Sequence, residues 1–286
     1  MNKIYLNELS LDGQFGNLED FLEACLPLMK CLKFVKQNQG AVYKHSTFYR
    51  QKITQNMVWN DLRGVRNDKA RRLKSLLLST TDNPPFWDVQ ENLSQDLNAQ
   101  YIMDGEDVTA TSVAEAAEEN AVLLSFLHEK YKNRTLCVRK DGAVLQNIES
   151  AVTLDYLSEK LWNKQQIGIR EYLCARYEGT RLNFSKMEKK YGFEEFEKEE
   201  LRDCLQTFEK FVASESWDEI VKDRGLYYKR YSPGSDDYDW FRKEEYQGKE
   251  IYKFRCGNPK RCFGYRERDV FYVLRMERDH KISDHG

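Results

Sequence analysis

Between residues 251 and 281 the chain concentrates cations: Lys253, Arg255, Lys260, Arg261, Arg266, Arg268, Arg275, Arg278 and Lys281 stand against Glu267, Asp269, Glu277 and Asp279. Nine cations against four acids make this stretch strongly basic in a chain whose net charge is −2. Side chains alternate along a strand with period two, so Lys253 and Arg255 share a face. Arg261 returns near them across a turn at Gly257-Asn258-Pro259. Cations gathered on one sheet face suit contact with phosphate oxygens. The competing reading is a solvated, salt-bridged face with no chemistry. His280 stands between Asp279 and Lys281, where an adjacent carboxylate can orient an imidazole for proton transfer. Its plain reading is an ordinary surface histidine.

Other chemistries have no comparable signal. There is no P-loop, GxGxxG or HExxH pattern. Asp104, Glu106, Asp107, Glu115, Glu118 and Glu119 are acidic but lack metal-ligand spacing, and Lys140-Asp141 completes no acid-acid-lysine motif. The seven cysteines include no CxxC pair and read as reduced, buried thiols of a cytoplasmic protein. Cys256 and Cys262 are spaced to face each other across a short turn. In the first half, Pro84-Pro85-Phe86-Trp87 reads either as a loop pinned into a core or as the wall of a ligand cleft.

The elements that position these residues follow from periodicity. Residues 3–10 alternate like a strand, and a helix capped by Asn17 follows, kinked or shortened by Pro27. Short strands are expected at 33–35 and 41–49, and helices at 70–78, 108–119 and 154–162. Buried strands are expected at 122–126 and 135–138, the latter leading through Asp141-Gly142 into a hairpin. Phe193, Phe196, Leu201, Leu205, Phe208 and Phe211 make one apolar stripe on a helix from 193 to 221, with an interruption near 214–217. Three strands, 251–255, 261–266 and 270–276, close the pattern. These elements predict an α+β protein of two domains, 1–163 and 164–286, the second with helices packed on a small antiparallel sheet. Charged residues make up 32% of the chain and no apolar run approaches the roughly 20 residues of a spanning helix, which excludes a membrane-embedded protein.

The C-terminal segment resembles the RelE/ParE/HigB toxin superfamily. The residues that carry the resemblance are Gly248, Ile251-Tyr252-Lys253-Phe254-Arg255, Gly257, Lys260-Arg261-Cys262-Phe263-Gly264-Tyr265, Phe271-Tyr272-Val273-Leu274 and His280-Lys281. It covers the last 90 to 120 residues or so. The chain departs from the family pattern in an insertion at residues 228–239 and in a tail without paired lysines. The resemblance implies metal-independent cleavage of RNA with no cofactor. Arg255, Arg261 and Arg275 would clamp phosphate, Lys253 or His280 would move protons, and Tyr265 or Tyr272 would stack or donate. The function this implies is a toxin-like or phage-defence protein acting on RNA or the ribosome, with an antitoxin or defence-system partner. The alternative is a non-catalytic module that docks nucleic acid or protein as a subunit or regulator of a defence system.

Overall fold

In the computed structural model, Ile4-Tyr5-Leu6 and Val122-Leu123-Leu124 are buried on both faces and lie side by side in the middle of the largest sheet. The structure describes residues 3–66, 71–89, 93–233, 239–242 and 244–279, with the side chains of all but residues 72, 73 and 244. Two compact units divide the chain, one up to Ile167 and one from Gly168 onward. Both mix helices and strands, and no helix among the described residues is long and apolar enough to cross a membrane.

The first unit runs β1 (Ile4–Leu6), β2 (Asp12–Phe15), α1 (Leu18–Ala24), α2 (Leu26–Gln37), β3 (Val42–Tyr43), β4 (Lys52–Thr54), β5 (Met57–Val58) and α3 (Arg71–Asp82). It continues through β6 (Tyr101–Met103), β7 (Glu106–Asp107), α4 (Ser112–Glu118), β8 (Val122–Leu124), β9 (Arg134–Lys140), β10 (Ala143–Ala151) and α5 (Leu154–Asn163). Its seven-stranded sheet has the order β3-β1-β8-β10-β9-β6-β7. The first four strands are parallel and the remaining neighbours antiparallel. Strands buried on both faces carry continuous apolar runs, which is why β1 and β8 occupy the parallel half. Asp141 and Gly142 both have positive φ, 48° and 84°, as a two-residue hairpin turn between β9 and β10 requires.

One local expectation is corrected. Residues 33–35 are not a strand but the end of α2. Its buried Leu28, Cys31, Leu32, Phe34 and Val35 keep helical spacing. The helix capped by Asn17 is shortened ahead of Pro27 rather than kinked by it: α1 ends at Ala24, and Pro27 stands in the first turn of α2, where its missing N–H costs nothing.

The second unit runs α6 (Ile169–Arg176), β11 (Leu182–Asn183), α7 (Lys198–Ala213), α8 (Trp217–Lys222), β12 (Lys229–Arg230), β13 (Ile251–Arg255), β14 (Arg261–Glu267) and β15 (Val270–Glu277). The sheet order is β11-β15-β14-β13-β12, antiparallel except for β11 beside β15. Phe211 of α7 packs its ring 4.8 Å from Phe254 and 5.9 Å from Phe271, which fixes the helix on one face of the sheet. Phe193 and Phe196 precede α7; their rings meet at 5.2 Å in the turn that leads into it.

Candidate nucleic-acid interface

The register of the second sheet decides where its cations point. Lys253 lies opposite Phe263, and Phe263 opposite Arg275, so all three share one face. That face is covered. Tyr231, Trp240, Phe241 and Tyr246, from the segment leading into β13, pack with Ile251, Phe263, Tyr265 and Leu274 in one apolar cluster. Tyr231, Trp240, Phe241 and Tyr246 therefore lie across the face that was expected to meet phosphate.

The residues singled out in the sequence fall into four groups. Lys253, Arg261 and Arg275 are interior, at 2%, 6% and 1% exposure. Lys253 Nζ sits 5.8 Å from the Tyr231 ring centre. Arg261 Nη1 donates to the carbonyls of Pro259 and Lys260 at 2.8 and 2.9 Å, and the residue stands opposite Glu277. Arg275 donates from Nε to Glu188 Oε1 at 2.5 Å. Tyr265 is nearly buried, stacked on Tyr272 at 5.2 Å with Lys249 Nζ 4.1 Å from its ring centre. Arg255 alone remains half-exposed. His280 lies outside the described residues.

A different set of cations faces outward. Asp223 closes α8 by accepting the backbone N–H groups of Gly225 and Leu226 at 2.7 and 2.9 Å. The Arg255 N–H donates to the Leu226 carbonyl at 2.7 Å, tying this turn to β13. Tyr227 follows at φ +48°, a conformation that L-residues rarely adopt, and is 48% exposed. The Arg255 guanidinium lies 4.7 Å and Lys229 Nζ 5.0 Å from its ring centre. Arg255 Nε is buried with no hydrogen-bond partner among the described residues.

Lys229 and Arg230 form the exposed edge strand β12. Beside it opens a cavity of about 340 Å³, lined by Arg230, Arg242 and Lys249 together with Tyr231, Tyr246 and Glu250. Arg230 pairs with Glu250 at 3.4 Å, both side chains largely exposed, so solvent screens the pair. Cations interleaved with an aromatic ring along an edge strand can hold phosphate and stack a base, both of which bind a nucleic acid without transferring a proton.

Sequence reasoning missed Tyr227, Lys229 and Arg230, because nothing in the pattern announces a left-handed tyrosine. It also placed the basic residues on a free face, since alternation shows which residues share a face but not what covers it. All seven cysteines are free thiols, and burial pushes the Cys256 and Cys262 thiols up. Among the described residues no group of three or more histidine, cysteine or acidic side chains is arranged to hold a metal ion. Compared with protein-family models, with curated proteins and with solved structures, the chain has no match.

Proposed function

We propose that the second unit binds RNA through the β12–β13 edge, as a nucleic-acid-docking module of a toxin-like or defence protein. The observation that carries this reading is the half-exposed Tyr227 ring, presented at positive φ with Arg255 and Lys229 over it. A base stacks on the ring, and the two cations take flanking phosphates. Lys229 and Arg255 then contribute a salt-dependent affinity without base readout. Lys253 and Arg275, interior under the aromatic cover, build the sheet that presents this edge.

The test is fluorescence anisotropy of a labelled single-stranded RNA across a salt series. Each phosphate contact on a single strand contributes about 0.7 to the slope of log K against log salt. The Lys229→Ala/Arg255→Ala double variant is expected to flatten that slope by about 1.4. Tyr227→Ala is expected to weaken binding about tenfold at constant slope, since stacking contributes roughly 1–3 kcal/mol per base. Affinity that ignores salt, or a double variant that binds like wild type, rejects the edge as the interface. Cleavage of the probe by wild type and its loss in Lys253→Met would favour the nuclease reading instead.

A further inference from the structure

The first unit holds a second cavity, about 300 Å³, between α2, β3, α3 and the Pro84-Pro85 turn. Its walls mix apolar and polar surface about equally, the apolar part coming from Leu32, Val35, Val42, Leu76, Pro84 and Pro85. Two lysines, Lys36 and Lys44, are also in the lining. Lys44 directly follows β3, the edge strand of the parallel half of the sheet. The Pro84–Trp87 loop is fastened there: the Trp87 N–H donates to the Lys44 carbonyl at 3.2 Å, and Lys44 bridges to Phe86.

Lys44 is 1% exposed, yet its ammonium is poorly compensated. It donates to the Asn83 carbonyl and lies 4.8 Å from the centre of the Phe86 ring. No carboxylate among the described residues comes within 4.0 Å of it; Asp82 acts only at longer range. A buried cation without a close counter-charge is costly, and an adjoining cavity is where one can enter. Burial pushes the Lys44 amine down to about 8, the response of a cation that lacks its anion.

The remaining lining restricts what that anion can be. Ser79 and Thr80 also border the cavity, but their hydroxyls donate to the Leu76 carbonyl at 2.9 and 2.8 Å. Pro84 and Pro85 have no N–H to offer. The side-chain donors that remain are the two ammonium groups, too few for a phosphate dianion, which needs several. Two lysines beside the side chains of Val42, Leu76 and Pro84-Pro85 match one carboxylate on a short hydrocarbon body, and the volume stands at the small end of ligand pockets.

We propose that this cavity binds a small aliphatic monocarboxylate, its head on Lys44 and Lys36 and its chain against Val42, Leu76 and the Pro84-Pro85 turn.

The test uses the full chain with hexanoate, methyl hexanoate and inorganic phosphate as probes, followed by calorimetry and by amide shifts in NMR spectra. Hexanoate is expected to bind, with shifts centred on residues 40–44 and 76–80. The methyl ester, equal in shape but uncharged, is expected to bind about tenfold or more weakly, as the loss of a charge-assisted hydrogen bond implies. Phosphate should not displace hexanoate. Lys44→Met should lose hexanoate affinity by the same factor and keep the ester's, and Lys36→Met should show a smaller loss. Equal binding of acid and ester by wild type, shifts elsewhere in the chain, or displacement by phosphate overturns the proposal. These wild-type measurements decide it even if Lys44→Met does not fold.

Discussion

Arg275 and Glu188 are joined inside the second unit by a hydrogen-bonded ion pair, Arg275 Nε to Glu188 Oε1 at 2.5 Å. Rings enclose the guanidinium: its carbon lies 4.4 Å from the centre of Tyr191, 4.7 Å from Phe241, 5.1 Å from Trp240 and 5.5 Å from Tyr246. It also donates to the Trp240 carbonyl, while its second terminal nitrogen is buried with no partner among the described residues. One side chain thus ties β15 both to the segment before α7 and to the aromatic cover over the sheet.

Removing that tie takes the guanidinium away from the Glu188 carboxylate, which keeps the Tyr246 hydroxyl as a donor, and away from the Trp240 carbonyl. Arg275→Met is expected to lower stability by about 3 kcal/mol, the low end for breaking a buried pair because Glu188 keeps some contact with water. Urea unfolding followed by tryptophan fluorescence measures it, with Trp240 as a local reporter. An unchanged midpoint would show that the cage and ion pair contribute nothing net.

Gly264 sits at the irregularity in the pairing of β14 with β15. A Cβ there would lie 2.1 Å from the Tyr272 carbonyl oxygen and 2.7 Å from a Phe271 ring carbon. The first obstacle is backbone, so relief requires the strands to separate. Gly264→Ala is expected to cost about 3 kcal/mol, at the upper end for overpacking. A melting temperature equal to that of wild type would mean that the two strands approach less closely than described.

Lys44 gives a pH dependence of defined sign. Its amine titrates at about 8 in the folded protein against an ordinary value of 10.5. Between those values the unfolded chain binds more protons than the folded one, so the contribution of Lys44 to stability rises with pH across that window. Below it the folded state carries the full penalty of the buried ammonium. The neighbouring charge that bears on it is Asp82, which favours the protonated form. Subtracting the stability curve of Lys44→Met from that of wild type isolates this contribution from other titrating groups. A difference that stays flat from pH 8 to 10.5 would contradict the burial assigned to the amine.

Local chemistry alone determined much of the framework. Asp141-Gly142 specifies its hairpin because only residues tolerant of positive φ close a two-residue turn. Asn17 and Thr111 cap their helices through side-chain oxygens that accept from Asp20 N and Val113 N. Alternation placed Lys253 with its neighbours on one sheet face, and the separation of the strands after Gly248 by tight turns made them legible. Tertiary structure decided what that face meets. Tyr231, Trp240, Phe241 and Tyr246 carry no period that says they fold back over β13–β15; that depends on the apolar area they remove from water together with Phe263 and Leu274. The same packing turned Lys253, Arg261 and Arg275 inward and left Arg255, Lys229 and Tyr227 at the edge. Lys44 and Pro84-Pro85, some forty positions apart in sequence, border one cavity because the Phe86–Trp87 segment pairs with the residue after β3, a long-range contact that local pattern does not encode.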